Sequence, residues 1–131
     1  MKLTSLRMIS KDIKATVAFY EQILGITATW YTEDFAELSA DSITIAVGST
    51  RTMKMFSEGL TDFAGTKSTI IEFLVKNVDE EYERIKSIAS EIIQEPTTMP
   101  WGNRSLLFCD PDGNMINFFT PVSEEAMKKF S

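Results

Sequence analysis

The sequence predicts an α+β fold built from two copies of one β-α-β-β-β module, and two observations carry that prediction. The first is a helical pattern that occurs twice. Asp12 precedes Ile13, Val17, Tyr20 and Leu24, and Asn77 precedes Val78, Tyr82, Ile85 and Ala89. Both sets have the i, i+4, i+7, i+11 spacing that lines one helix face, and Asp12 and Asn77, like Ile13 and Val78, stand 65 positions apart. The second is a hairpin signal near the C-terminus. Leu106-Leu-Phe108 leads into Asp110-Pro-Asp-Gly-Asn114, and Met115-Ile116 with Phe118-Phe119 follows. Proline presets one turn angle, and Gly113 or Asn114 can take positive φ between the two apolar runs.

The elements follow in order. Residues 3–9 are apolar and rich in branched side chains, which suits a strand. Asp12 is a good N-cap, because its short side chain can accept a free N–H of the first turn. Further strands are expected over 27–31, 35–38 and 42–47. The second copy repeats the order: a strand over 69–75, a helix capped by Asn77, and strands over 92–98, 104–109 and 115–120. Module one is therefore about 1–48, a connector spans 49–67, module two is about 68–121 and a tail covers 122–131, all in a single domain. One module has a helix for only one sheet face. Two copies side by side would form a curved mixed sheet around a cleft, with helices outside. The connector carries Met53, Met55, Phe56, Leu60 and Phe63, so it reads as a lid or as packing between the halves. Residues 124–130 read as a short terminal helix.

Composition narrows the function. Of 131 residues, 44% are hydrophobic and 24% charged, with a net charge of −6. That is an ordinary globular balance. The acidic surface and the lack of a basic, aromatic-interleaved cluster disfavour nucleic acid. An acidic surface tolerates cationic small molecules or simply maintains solubility. No run has membrane-spanning length and no signal-peptide pattern opens the chain, so no membrane partner and a cytoplasmic location are expected. The chain has one cysteine and no histidine, which excludes an intramolecular disulfide and a Ser-His-Asp triad. Cys109 lacks a histidine to activate it and is expected to be inert. No glycine-rich phosphate loop is present.

Trp101-Gly-Asn-Arg104 followed by Asp110-Pro-Asp-Gly-Asn114 and a strand resembles the C-terminal end of the vicinal oxygen chelate superfamily, which holds glyoxalase I, bleomycin-resistance proteins and extradiol dioxygenases. With the internal repeat, the resemblance covers nearly the whole chain. It implies two β-α-β-β-β modules and, in catalytic members, a divalent metal held by His or Gln on the first strand and Glu on the last strand of each half. Those positions here are Ser5, Ile70, Asn117 and about Ala46. Catalytic sites for ions of this kind use imidazole, thiolate or carboxylate, usually from three protein ligands. The expectation is therefore no metal and no cofactor. An oxygen site at Asp110 and Asp112 is the alternative, although neighbouring acids in a turn are normally solvated caps. The resemblance then implies metal-independent binding of a small organic molecule by a homodimer, in the manner of the bleomycin-resistance branch. Two other readings stay open: a glyoxalase-like lyase or isomerase, or dioxygenase-like enzyme, with an atypical site, and a structural or regulatory dimer.

Strand alternation supplies candidate ligand contacts. Ser5 and Arg7 share one face, as do Glu72 and Leu74 with Ile70, and Met115 and Phe119 with Asn117. Arg104 and Leu106 are assigned to the same lining, and Trp101 is placed to stack on a flat or cationic ligand or to cover the sheet edge. Trp30 and Tyr31 are expected near the same mouth. Arg7 and Glu72 are mates across the repeat. They read either as a buried salt bridge or as functional groups, with Arg7 binding a carboxylate and Glu72 a weak catalytic candidate.

Overall fold

The structure is a computed structural model that describes residues 1–53 and 69–131. The chain divides into two compact units, Met1–Ala64 and Gly65–Ser131, and each is taken by itself. Met55, Phe56, Leu60 and Phe63 of the connector lie outside the described residues.

In the first unit, β1 (Ser5–Ser10) leads into α1 (Ile13–Leu24), followed by β2 (Thr29–Thr32), β3 (Phe35–Ser39), β4 (Thr44–Ser49) and the single turn α2 (Thr50–Met53). Asp12 caps α1 by accepting the Ala15 N–H at 3.2 Å, and Gly25 ends the helix in the left-handed region at φ 67°. A left-handed helix end suits glycine because no Cβ opposes it. The sheet order is β1-β4-β3-β2, with β1 parallel to β4 and the other pairs antiparallel. Alternation sends Met8 and Ser10 toward α1, where the Tyr20 hydroxyl donates to Met8 Sδ and the Ser10 hydroxyl donates to Thr16 Oγ1. Ala36, Leu38, Ile45 and Val47 complete this core and are fully buried, as is Tyr20. The expected helix face is observed at Ile13, Val17 and Tyr20, but Ile23 rather than Leu24 is buried at its end.

The second unit repeats the plan. β5 (Ile70–Leu74), α3 (Val78–Ile85), β6 (Glu91–Thr98), β7 (Asn103–Cys109) and β8 (Met115–Pro121) form a sheet in the order β5-β8-β7-β6, and α4 (Glu124–Lys129) follows. Asn77 caps α3 by accepting the N–H groups of Asp79 and Glu80. Acidic residues in the first turn and Arg84 in the last complement the helix dipole. Val78 and Ile85 are buried against a sheet core of Phe108, Ile116 and Phe118, and Phe118 packs edge-on to both Phe73 and Phe108. α3 stops at Ile85, so Ala89 lies past the helix it was expected to extend.

Asp110 departs from the expectation of a solvated turn acid. It is 1% exposed. Its Oδ1 accepts the N–H groups of Asp112 and Asn114 at 2.9 and 2.8 Å, and its Oδ2 accepts Asn114 Nδ2 at 2.8 Å. Gly113 supplies the positive φ, 88°, of the turn. The carboxylate is thus engaged in holding the β7–β8 hairpin.

Candidate functional site

The face of each sheet turned away from its long helix carries the residues that the sequence singles out. In the first unit, register places Ser5, Arg7 and Ile9 opposite Thr44, Ala46 and Gly48, with Ser39, Glu37 and Phe35 beyond them. In the second, Ile70, Glu72 and Leu74 stand opposite Met115, Asn117 and Phe119. Ala46 faces Arg7 as Asn117 faces Glu72, so Ala46 is the first-module counterpart of Asn117, with no slip of one residue.

Asn117 Nδ2 donates to Glu72 Oε2 at 2.9 Å. Arg7 lies with its guanidinium carbon 4.7 Å from the centre of the Phe35 ring. Both Arg7 and Glu72 are exposed. Ile70 and Leu74 are also exposed, and Met115 is half-buried beside Ile70.

Two of the expected contacts need correction. Leu106 stands opposite Phe118 and is fully buried on the helix-backed face. Arg104 shares that face and forms a forked ion pair with Asp79 of α3, its Nε 2.8 Å and its Nη2 3.0 Å from the two carboxylate oxygens. That guanidinium holds the Asp79 carboxyl below the usual range. The reason is register: Leu107, and not Leu106, is opposite Asn117, so the lining of β7 falls on odd-numbered residues. Phe119 faces away from α3 as expected, and there it packs against the Phe130 ring with centroids 5.0 Å apart. Trp101 is 64% exposed in the turn before β7. Tyr31 lies beside Phe35, and Trp30 turns to the side of Ala36.

The register correction exposes residues that sequence reasoning missed. Asn103 and Ser105 lie on the same face as Asn117 and are at least nine-tenths buried, as Asn117 is. Among the described residues, Asn103 Oδ1, Ser105 Oγ and Asn117 Oδ1 are buried without a hydrogen-bond partner. A native fold leaves few such atoms, because each costs about 1–3 kcal/mol unless a ligand or water satisfies it. A β-strand with polar residues at alternate positions, Asn103 and Ser105, was the available signal.

In the first unit a cavity of about 730 Å³ is lined by Arg7, Thr32, Glu33, Asp34, Phe35, Arg51 and Thr52. Asp34 organises its rim. It accepts the Ser49 hydroxyl at 2.8 Å and Arg51 Nε at 2.8 Å, with Arg51 Nη2 at 2.5 Å. The Arg51 guanidinium, aided by the Ser49 hydroxyl, holds the Asp34 carboxyl below its ordinary value. On the same sheet face the neighbouring Glu37 carboxylate raises the Tyr31 phenol above its ordinary value.

Among the described residues no group of three or more His, Cys, Asp or Glu side chains converges as a metal site. The positions that would hold a divalent metal carry a hydroxyl, a methyl, a sec-butyl group and an amide bound to Glu72. One carboxylate beside one amide does not supply the donor set such an ion requires.

The family model of the Glyoxalase/Bleomycin resistance protein/Dioxygenase superfamily matches residues 2–118. The chain belongs to that superfamily. A bleomycin resistance protein from Geobacillus stearothermophilus is 31% identical to it over 123 residues, covering 85% of this chain and 90% of the relative. The fosfomycin resistance protein FosX of Listeria innocua is 26% identical over 130 residues, covering 98% and 96%. A solved glyoxalase/bleomycin resistance protein/dioxygenase from Nocardioides superposes with a TM-score of 0.78 at 21% identity, covering 95% of this chain and 85% of that one. The last likeness concerns fold. Among the described residues of this superfamily member, no helix is long and apolar enough to cross a membrane.

Proposed function

We propose that this chain binds a small organic molecule without a metal, in the manner its likeness to bleomycin resistance proteins implies. The observation that carries the reading is the set of buried, unpartnered polar atoms on one face of the second sheet, Asn103 Oδ1, Ser105 Oγ and Asn117 Oδ1. Such atoms fix the orientation of a ligand whose apolar part is bound by burial, and Met115 and Leu74 on the same face supply apolar surface. Removing an orphaned atom should cost the free protein little stability, whereas removing a satisfied one costs more.

Thermal unfolding with and without EDTA tests the metal claim, using metal-free bleomycin as the first probe. A ligand present at a hundred times its Kd stabilises the fold by about 2.7 kcal/mol. That shift is expected to be the same in EDTA and to shrink in Ser105→Ala and Asn117→Leu. A melting temperature lowered by EDTA alone, or methylglyoxal–glutathione turnover appearing with added Ni or Zn, would replace this reading with an enzymatic one. The Glu72–Asn117 hydrogen bond favours that second reading, because it holds a carboxylate on the exposed face. We carry the homodimer as part of the same proposal, with sedimentation equilibrium as its check.

A further inference from the structure

The C-terminal helix α4 returns to the face of the second sheet that carries the unpartnered oxygens. The chain leaves β8 at Pro121, opposite Asn103. The next two N–H groups, of Val122 and Ser123, both donate to the Gly102 carbonyl, at 2.8 and 3.1 Å. Gly102 has φ 93°, and a Cβ there would lie 2.0 Å from Ser123 Oγ and 3.3 Å from Ala126 Cβ. The missing side chain therefore lets α4 begin directly on the turn before β7. Ser123 Oγ then caps the helix by accepting the Ala126 N–H at 3.1 Å. This end of α4 is anchored through the backbone.

The far end is held by less. Ala126 is the one buried residue of α4, and Met127 is 53% exposed. Beyond them the Phe130 ring packs on Phe119, with centroids 5.0 Å apart, yet stays 38% exposed. A helix of six residues does not persist in water without tertiary contacts. The seat of α4 on the sheet thus depends on one methyl group and one ring, and segments with so few buried apolar contacts open most readily. Phe119 stands directly opposite Ser105 in the sheet. The helix therefore runs from the Asn103 pair to the Ser105 pair, where two of the three orphaned oxygens, Asn103 Oδ1 and Ser105 Oγ, are buried.

We infer that, on the reading of this face as a ligand site, α4 is its lid, hinged where Val122 and Ser123 meet Gly102 and latched by Phe130 on Phe119. The closed state carries the cost of two buried polar atoms without partners. Lifting α4 removes that cost, because water or a ligand then reaches both. An entering molecule takes over the aromatic surface of Phe119 that Phe130 gives up and finds the Asn103 and Ser105 side chains beside it.

Thiol labelling with DTNB tests the lid without a ligand. In Ser105→Cys, the introduced thiol reads the opening of α4. Cys109, 1% exposed at the other end of β7, reads opening of the sheet in the same molecule. Peptide mapping by mass spectrometry separates the two. Position 105 is expected to label about tenfold or more faster than Cys109, and Phe130→Ala should accelerate it about tenfold again. Deleting residues 130–131 should act as Phe130→Ala does, with circular dichroism confirming that each variant folds. Ile85→Val, which loosens the core under α3, should leave the rate at position 105 unchanged, as a merely structural role for Phe130 would not. Equal rates at the two thiols, a rate at position 105 indifferent to Phe130→Ala, or one raised as much by Ile85→Val would overturn the inference. Stabilisation by metal-free bleomycin is measured separately: its presence or absence bears on the binding reading, and the labelling rates alone decide the lid.

Discussion

Removing the Asp110 carboxylate should be among the most costly single changes on the surface hairpin. Three hydrogen bonds end on it, two from backbone N–H groups and one from the Asn114 amide, within 2.8–2.9 Å. Bonds to a charged acceptor contribute about 1.5–3 kcal/mol each when buried. Asp112 and Asn114 are half-buried, so water recovers part of their loss, and Asp110→Ala is expected to cost roughly 3 kcal/mol. For a chain of this length that is a fall of about 11 °C in Tm, from an unfolding entropy of about 2.1 cal/mol/K per residue. Asp110→Asn keeps one acceptor oxygen but turns an NH2 toward the Asn114 NH2, two donors facing each other, and should cost about 2 kcal/mol. Exchanging both groups, Asp110→Asn with Asn114→Asp, reverses the donor and acceptor and should recover more than half of that. Thermal and urea unfolding followed by circular dichroism measure all three. An alanine variant within about 2 °C of the parent, or an exchanged pair no better than the single change, refutes the assignment of the carboxylate as the clamp.

Two further outcomes follow from backbone geometry and from titration. Gly102 has φ 93°, and a Cβ there would stand 2.0 Å from Ser123 Oγ and 2.7 Å from Ser123 Cβ. Gly102→Ala should therefore cost about 3 kcal/mol or more by strain and overlap together, whereas Gly113→Ala, at φ 88° with open space around it, should cost only about 1 kcal/mol. Equal losses in chemical denaturation would show that the contact with Ser123 is not what fixes residue 102. Asp34 has a folded pKa below its unfolded value, so its contribution to stability is present above the unfolded pKa of about 3.9 and is lost as pH falls through the folded one. Arg51→Gln should move the Asp34 carboxyl back toward the ordinary value in an NMR titration and flatten the acid limb of the stability profile. An unmoved titration would show that Arg51 is not the cause.

The module plan was legible because caps and period-3.6 faces are local signals. Asp12 and Asn77 start helices for the same short-range reason, wherever the rest of the chain goes. β8 was read on the correct face from Asn117 because its partner strand adds no bulge. β7 was misread for a similar local reason: the run Leu106-Leu-Phe108 is apolar on both faces, so alternation alone could not choose between Leu106 and Leu107. Cross-strand register made that choice, and with it moved Arg104 onto Asp79 and brought Asn103 and Ser105 onto the candidate face. Asp110 was misjudged because burial of a turn acid depends on how the Asn114 side chain folds back on it, and no spacing rule records that.

The same register shows how one duplicated plan yields two unlike surfaces. Phe35 opposite Gly48 in the first sheet corresponds to Ser105 opposite Phe119 in the second. The large and small partners have changed strands. Where the second sheet has Phe119, filled over by Phe130, the first has a glycine, and the Phe35 ring stands with Arg7 against the wall of a cavity. Where the first has an aromatic, the second has a buried hydroxyl without a partner. The repeat, offset by 65 residues in the first strand and helix, therefore transfers strand direction and face between modules but not volume or polarity, which is why Arg7 and Glu72, mates in the repeat, keep different company.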